Sequence, residues 1–349
     1  MADIFTGRLL NEIPQALSSL LTALLTLPKL HTINLNDNAF GLNTQGPLVA
    51  FLESHVPLQH LILNNNGLGP HAGVLIADAL TRLHAKKLEA RKEGKEVPDL
   101  ETVICGRNRL ENGSMVAWAK AYSLHTGLKE VKMVQNGIRQ EGISHLLTDG
   151  LRHARGIKVL DLQDNTFTLK GAKALASVAP GWTDIQELGV GDSLLSAKGG
   201  VLVAEALGRG ENKKLEVLRL QYNDITAKGL EAFAKAAKDA LPALKKVELN
   251  GNKFSEEDES ILALKELLEE RKENFAGDVV LEDDWGLDSL SDLEDDSEEE
   301  DESEEEEEER EELREKLLVE AEEAQEEPVA LQKSESVDKL ADELSKTEI

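Results

Sequence analysis

The sequence predicts an α/β solenoid with a parallel sheet on one side and helices on the other, followed by an acidic extension with no core of its own. Two observations carry this expectation. A frame of apolar residues closing on asparagine recurs eight times, and almost all of the net charge lies beyond the last copy. The first copy is Leu30, Ile33, Leu35, Asn38, and the second is Leu58, Leu61, Leu63, Asn66. The others close at Asn108, Asn136, Asn165, Ser193, Asn223 and Asn252, in steps of 28, 42, 28, 29, 28, 30 and 29 residues.

Each element of the frame has a physical reason. Alternating apolar residues, such as Leu61 and Leu63 or Leu218 and Leu220, put one face of a short strand inward. The asparagine follows the strand and turns inward, where its amide can satisfy backbone groups of neighbouring turns. A glycine often comes next (Gly67, Gly137), then an apolar residue (Leu68, Ile138) that leads into a helix. Ile143, Leu146, Leu147 and Leu151 show the helical spacing of that return path. No unit buries its apolar face alone, so the copies must stack. The L-x-x-L-x-L-x-x-N frame at this period is that of a leucine-rich repeat. The predicted architecture is a ribonuclease-inhibitor-like horseshoe with a concave parallel sheet and convex helices.

Two departures stand out. The 42-residue step holds about 14 extra residues around Leu83 to Val97, a charged stretch that reads as a longer helix and a surface loop. Ser193 replaces the asparagine of the sixth copy; its hydroxyl still donates and accepts, so the frame tolerates it.

Charge divides the chain. Residues 277–349 hold 33 acidic and 6 basic side chains, leaving 34 and 33 for residues 1–276. The boundary is therefore expected near Gly277, with a leucine-rich repeat solenoid over 1–276 and a mostly disordered acidic tail over 277–349. Self-repulsion along runs such as Glu304 to Glu309 opposes packing. A short helix from Glu311 to Ala324 is compatible with its composition, and Ser291, Ser297 and Ser303 carry acidic residues three positions on. Such a tail argues against nucleic-acid binding, which needs a concentrated basic footprint.

The lone cysteine, Cys105, lies at an inward strand position and reads as a small buried hydrophobe. It allows no intramolecular disulfide framework, which fits a reducing compartment. No apolar run reaches membrane-spanning length. Phosphate-loop, nucleophile-elbow and zinc-protease motifs are absent. His31, His55, His60 and His125 read as structural residues near strand entries. The chain is expected not to be an autonomous enzyme; solenoid faces and strand-end loops suit protein partners.

The loop residues are more specific than the leucines. DIFTGR (Asp3 to Arg8), KLHTINLNDNAFG (Lys29 to Gly41), LNNNGLGP (Leu63 to Pro70), ICGRNRLENGSM (Ile104 to Met115), KMVQNGIR (Lys132 to Arg139), VLDLQDNTFT (Val159 to Thr168), LRLQYN (Leu218 to Asn223) and VELNGNKFSEED (Val247 to Asp258) resemble the fungal-type Ran GTPase-activating proteins. The acidic tail and LADELSK (Leu340 to Lys346) are similar too. The resemblance implies acceleration of GTP hydrolysis by Ran without an arginine finger. An asparagine, here Asn65, would orient the GTPase's own catalytic glutamine. Arg8 matches a residue of docking and activity, and Asp164 an interface position; Arg107 and Arg109, flanking Asn108, are added as partner contacts. No cofactor or metal is implied, because GTP and Mg2+ would travel with the partner GTPase in its GTP form, with or without a Ran-binding protein. A monomer in the cytoplasm, or near the nuclear envelope, is expected.

Members of that family carry opening repeats ahead of DIFTGR. A chain starting at Met1 is therefore expected to expose an apolar end and to be poorly ordered before about Leu20. Leu10 stands where a basic residue is common in the family. The alternative function is a non-catalytic scaffold that binds Ran or another protein. A third reading makes the tail a chaperone for basic proteins.

Overall fold

Each repeat contributes a three-residue strand, a sharp turn and a returning helix. The computed structural model describes residues 1–9, 11–275 and 285–294. The strands are β1 (Thr32–Asn34), β2 (His60–Ile62), β3 (Thr102–Ile104), β4 (Glu130–Lys132), β5 (Val159–Asp161), β6 (Glu187–Gly189), β7 (Val217–Arg219), β8 (Lys246–Glu248) and β9 (Gly286–Leu287). They form one parallel sheet in sequence order, in constant register: Ile33 pairs with Leu61, Leu61 with Val103, and so on to Val247 with Leu287. The helices are α1 (Ile13–Leu24), α2 (Gln45–Leu52), α3 (Gly69–Lys92), α4 (Glu111–Leu124), α5 (Gln140–His145), α6 (Thr168–Val178), α7 (Ala197–Leu207), α8 (Ala227–Asp239) and α9 (Glu259–Glu273). Strands stack about 4.8 Å apart, whereas helices need about 8–10 Å between axes. The helical side is therefore the longer one, and the sheet must line the concave side.

The frame leucines fill the space between the two layers, together with Trp118, Trp182, Tyr122, Phe167 and Phe254. Cys105 is fully buried among them, its thiol pushed up to about 12 by burial. Asn108 Nδ2 donates to its sulfur at 3.3 Å.

Both ends differ from expectation. The first residues are not an ill-ordered lead-in. Phe5 is buried and lies 6.1 Å from the ring of Phe40. The amides of Ile4 and Phe5 donate to Asn38 Oδ1 at 3.0 and 3.2 Å, and Asn38 Nδ2 donates to the Met1 carbonyl at 3.0 Å. These are the bonds that a repeat loop makes with its successor, so Met1 to Leu9 is a repeat loop in register with the first strand. Leu10 lies outside the described residues. At the other end the repeat unit continues past the boundary expected at Gly277, because Trp285 to Glu294 add the ninth strand. Asp288 there accepts from the amides of Leu249 (2.8 Å) and Asn250 (3.0 Å) through its two carboxylate oxygens. The helix expected at Glu311 to Ala324, with Ser297 and Ser303, falls outside the described residues.

The long step is absorbed by α3, which runs 24 residues instead of ending with its neighbours. Its extra turns are held by two basic side chains. Lys87 is buried, and its ammonium donates to the carbonyls of Val56 (2.8 Å), Leu58 (2.6 Å) and Pro98 (2.7 Å). Three donors meet three acceptors, so the ammonium is fully satisfied. Arg91 then ties the returning loop through the Val97 carbonyl (2.9 Å) and Asp99 (2.6 Å). Sequence reasoning placed the insertion on the surface; its anchor is internal.

Of the histidines singled out above, three bond backbone carbonyls and His60 bonds a side chain. His55 Nε2 meets the Leu30 carbonyl at 2.7 Å, His125 Nε2 meets that of Leu80 at 2.8 Å, and His31 Nδ1 meets that of Pro57 at 3.0 Å. His60 Nδ1 meets Thr102 Oγ1 at 3.0 Å. Burial is the main reason that His125 titrates at about 4; His84 and Lys87 push the same way, against the Leu80 carbonyl and Asp99.

Two stability tests follow. Lys87→Met keeps the stem but strands three buried carbonyls, and should cost about 3 kcal/mol or more in urea unfolding. An unchanged midpoint would show that α3 does not depend on this clamp. For His125 the folded value lies below the unfolded one near 6.5, so the unfolded chain binds more protons between the two. Stability is then lost as pH falls from about 6.5 to about 4, by roughly 3 kcal/mol. His125→Gln should flatten that part of the profile, measured by unfolding at pH 7 and pH 4.5.

Candidate functional site

The turn after each strand creates the exposed surface of interest. For the frame asparagine to point inward, the residue before it must reverse the chain, and it adopts the left-handed region. The column reads Asp37 (φ 60), Asn65 (53), Arg107 (56), Gln135 (53), Asp164 (56), Asp192 (50), Tyr222 (55) and Gly251 (70). Asp3 (φ 53) extends it at the start. Such angles are strained for residues with a Cβ, least so for Asn and Asp. What enforces them, from Asp3 to Tyr222, is the same backbone bond repeated in each turn. The column's amides donate to the next repeat: Asp37 to the Asn64 carbonyl (3.0 Å), Asn65 to Gly106 (2.9 Å), Arg107 to Val134 (2.8 Å), Asp164 to Gly191 (2.9 Å). Their side chains project along one rim of the solenoid.

The triplet Asn64, Asn65, Asn66 shows how the turn divides labour. Asn66 is fully buried; its Nδ2 donates to the carbonyls of Leu35 (3.0 Å), Leu63 (3.1 Å) and Asn64 (2.9 Å), and its Oδ1 accepts from the Asn38 amide at 3.0 Å. Asn64 Oδ1 accepts from the Gly106 amide at 2.5 Å. Asn65 is exposed, and its Nδ2 donates to Asp37 Oδ1 at 2.9 Å. Thr6, Asp37 and Asn65 line one shallow depression of about 370 Å3, floored by Asn66 and Gly67.

The other expected residues distribute along the same rim. Arg107 is next to Asn65 in the column, and its Nε donates to Gln135 Oε1 at 2.8 Å. Asp164 follows Gln135. Partial burial, and then Asp192, push its carboxyl above the ordinary range, while Arg107 and a hydrogen bond with Gln135 pull it back. Arg109 is exposed one residue beyond Asn108, in a second left-handed position (φ 54) where neighbouring repeats carry Ala39, Gly67 and Gly137. Arg8 is exposed at the end of the opening loop, its amide bonded to the Phe5 carbonyl at 3.0 Å. It does not line the Asn65 depression, but Thr6 of the same motif does. Sequence reasoning missed Asp37, Thr6 and Gln135. Asp37 and Gln135 were legible in principle, since both occupy the position before a frame asparagine.

The concave face offers mostly paired groups. Arg219 sits between Glu187 (3.3 Å) and Glu248 (3.5 Å), and Lys132 beside Glu130 (3.2 Å). Gln163 and Gln221, two repeats apart, meet at 2.5 Å above Gly191, where a Cβ would strike the Gln221 amide. Among the described residues no group of His, Cys, Asp or Glu side chains is arranged to hold a metal ion.

Comparison with known proteins places this geometry. The Leucine Rich repeat family model matches residues 155–176 and 211–234. Ran GTPase-activating protein 1 of Saccharomyces cerevisiae is 43% identical over 264 residues, covering 74% of this chain and 64% of that protein. Ran GTPase-activating protein of Drosophila melanogaster is 33% identical over 258 residues, covering 73% and 42%. Ran GTPase-activating protein 1 of Xenopus laevis is 45% identical over 140 residues, covering 39% and 23%. The chain thus spans less than two thirds of the length of each of these relatives. The repeat frame, the nine-stranded parallel sheet and this similarity agree: the chain is a leucine-rich repeat solenoid, similar to the Ran GTPase-activating proteins over about three quarters of its length.

Proposed function

We propose that this chain accelerates GTP hydrolysis by a Ran-type small GTPase in its GTP-bound form, docking it along the rim that carries Asn65. The nucleotide and its Mg2+ belong to the partner, and the solenoid supplies no nucleotide site of its own. Phosphoryl transfer to water needs positioning and electrostatic stabilisation rather than covalent help. In this reading the partner's own glutamine holds the attacking water, and the Asn65 amide holds that glutamine. The activator then contributes preorganised hydrogen bonding and exclusion of water, with no arginine inserted at the phosphates.

The observation that carries the reading is the division of labour within the asparagine triplet. Asn64 and Asn66 are consumed by the solenoid, whereas Asn65 is exposed on a turn whose backbone is bonded to the next repeat. A rigid turn presenting one amide is what orientation of another side chain requires. Arg8, Arg107, Arg109 and Asp164 are assigned to docking, since they are spread along the chain's edge rather than gathered around Asn65. Arg107 and Asp164, balanced through Gln135, offer a partner both signs of charge.

Single-turnover hydrolysis of Ran-bound GTP tests this. Asn65→Gly removes the amide yet suits the left-handed turn. It should lower the rate at saturating activator by roughly 10²–10³, the scale of losing one preorganised donor or acceptor in a closed site. Arg8→Ala and Asp164→Ala should instead act chiefly by raising the half-saturating concentration. A full rate with Asn65→Gly would remove the glutamine-orienting role. Tight binding to GTP-bound Ran with no acceleration by the unaltered chain would leave the scaffold reading.

A further inference from the structure

We infer that Asp37 is a positioning residue for Asn65: it selects which end of the Asn65 amide faces the partner. The inference rests on the reading that Asn65 contacts the GTPase's glutamine, and it adds what that contact requires. A side-chain amide has two ends of opposite chemistry, a donating NH2 and an accepting oxygen, and free rotation would present them without preference. A carboxylate oxygen only accepts. With Asp37 Oδ1 2.9 Å away, the end of Asn65 that faces it must be Nδ2. Asn65 Oδ1 is thereby turned away from Asp37, as an acceptor for an incoming N–H.

That polarity suits the task. A glutamine that holds water with its side-chain oxygen has its NH2 left to be fixed by an acceptor. Asn65 Oδ1 is such an acceptor, and fixing the glutamine NH2 directs its oxygen to the water. An Asn65 turned the other way would offer a donor to a donor.

Asp37 is itself held firmly enough to do this. Its amide donates to the Asn64 carbonyl at 3.0 Å, and its carbonyl accepts from Thr6 Oγ1 at 3.1 Å. It occupies the same left-handed position as Asn65, one repeat earlier, so the register of the solenoid sets the two side chains beside each other. Thr6 lies in the opening loop, which packs on the first repeat through Phe5. The order of support runs from Thr6 to Asp37 to Asn65, and it gives the DIFTGR segment a role separate from that of Arg8.

The test is a double-mutant cycle in single-turnover hydrolysis of Ran-bound GTP, using the full chain at saturating activator. Asp37→Gly keeps the left-handed turn and removes the carboxylate; the rate should fall about tenfold, the scale of one charge-assisted hydrogen bond. Asp37→Asn, which tolerates both amide orientations, should fall between Asp37→Gly and the unaltered chain. The half-saturating concentration should change less than the rate. In the Asn65→Gly background, Asp37→Gly should have no further effect. Equal losses in both backgrounds, or a full rate for Asp37→Gly while Asn65→Gly is crippled, would overturn the positioning role. A full rate for Asn65→Gly would instead overturn the reading beneath it, and the positioning role with it. Thermal midpoints of the variants, expected to match the unaltered chain, exclude loss of fold as the cause of a slower rate.

Discussion

The structure depends on one hydrogen-bonding arrangement, the buried ladder of frame asparagines. Each turn after a strand leaves amides and carbonyls facing the interior, and these cannot be hydrated there. One asparagine side chain answers both needs, because it donates twice and accepts twice. Asn165 shows the full set. Its Nδ2 donates to the carbonyls of Met133 (3.0 Å) and Leu162 (2.8 Å), and its Oδ1 accepts from the amides of Asn136 and Ile138, both at 3.1 Å. The bonds reach the preceding repeat, so the ladder sets the spacing between repeats as well as the shape of each turn. Where Ser193 stands in, its hydroxyl bonds the Gly191 carbonyl at 3.0 Å while its amide still donates to Asn223. The neighbouring asparagine keeps the register.

The rim follows from the ladder. Pointing one residue inward forces its predecessor into the left-handed region and its side chain outward. A solenoid built this way acquires, at a fixed geometric interval, a column of side chains that the core does not use. Their identity is free of packing constraints, so chemistry can be written there. In this chain the column begins with carboxylates and an amide, passes through Arg107 and Gln135, and returns to carboxylates at Asp164 and Asp192. Tyr222 closes it against the final cap, its hydroxyl donating to Asp292 at 2.8 Å. Except at Gly251, the backbone strain of such positions is carried by inter-repeat hydrogen bonds rather than relieved by glycine.

The two ends show the same logic applied with other residues. Met1 to Leu9 binds Asn38 as any repeat loop would, without a leucine frame to announce it. Trp285 to Glu294 ends the sheet with Asp288, whose carboxylate oxygens accept from two amides of the last full repeat. Sequence reading took the first for an ill-ordered start of the solenoid and placed the second outside it, in the acidic tail. The first lacks the repeat's apolar spacing, and the second is buried in a run of acidic residues whose composition signals solvation. A two-residue strand with one capping aspartate is too short to alter that signal.

Fold class, the eight framed repeats and their inward residues were legible in the sequence, because strand alternation and a fixed period act locally and repeat. The buried Cys105 and the structural histidines followed from position in the frame. Asn65, Arg8 and Asp164 came from resemblance in the loops. The periodicity set Asn66 inward and its predecessor Asn65 outward, but could not say what the exposed amide would face. The tertiary structure decided the rest. That Lys87 anchors an insertion from within, that Asp37 faces Asn65, and that Thr6 holds Asp37 are contacts between residues 28 or more positions apart. Such contacts depend on the register between repeats, and register is a property of stacked units rather than of any one of them.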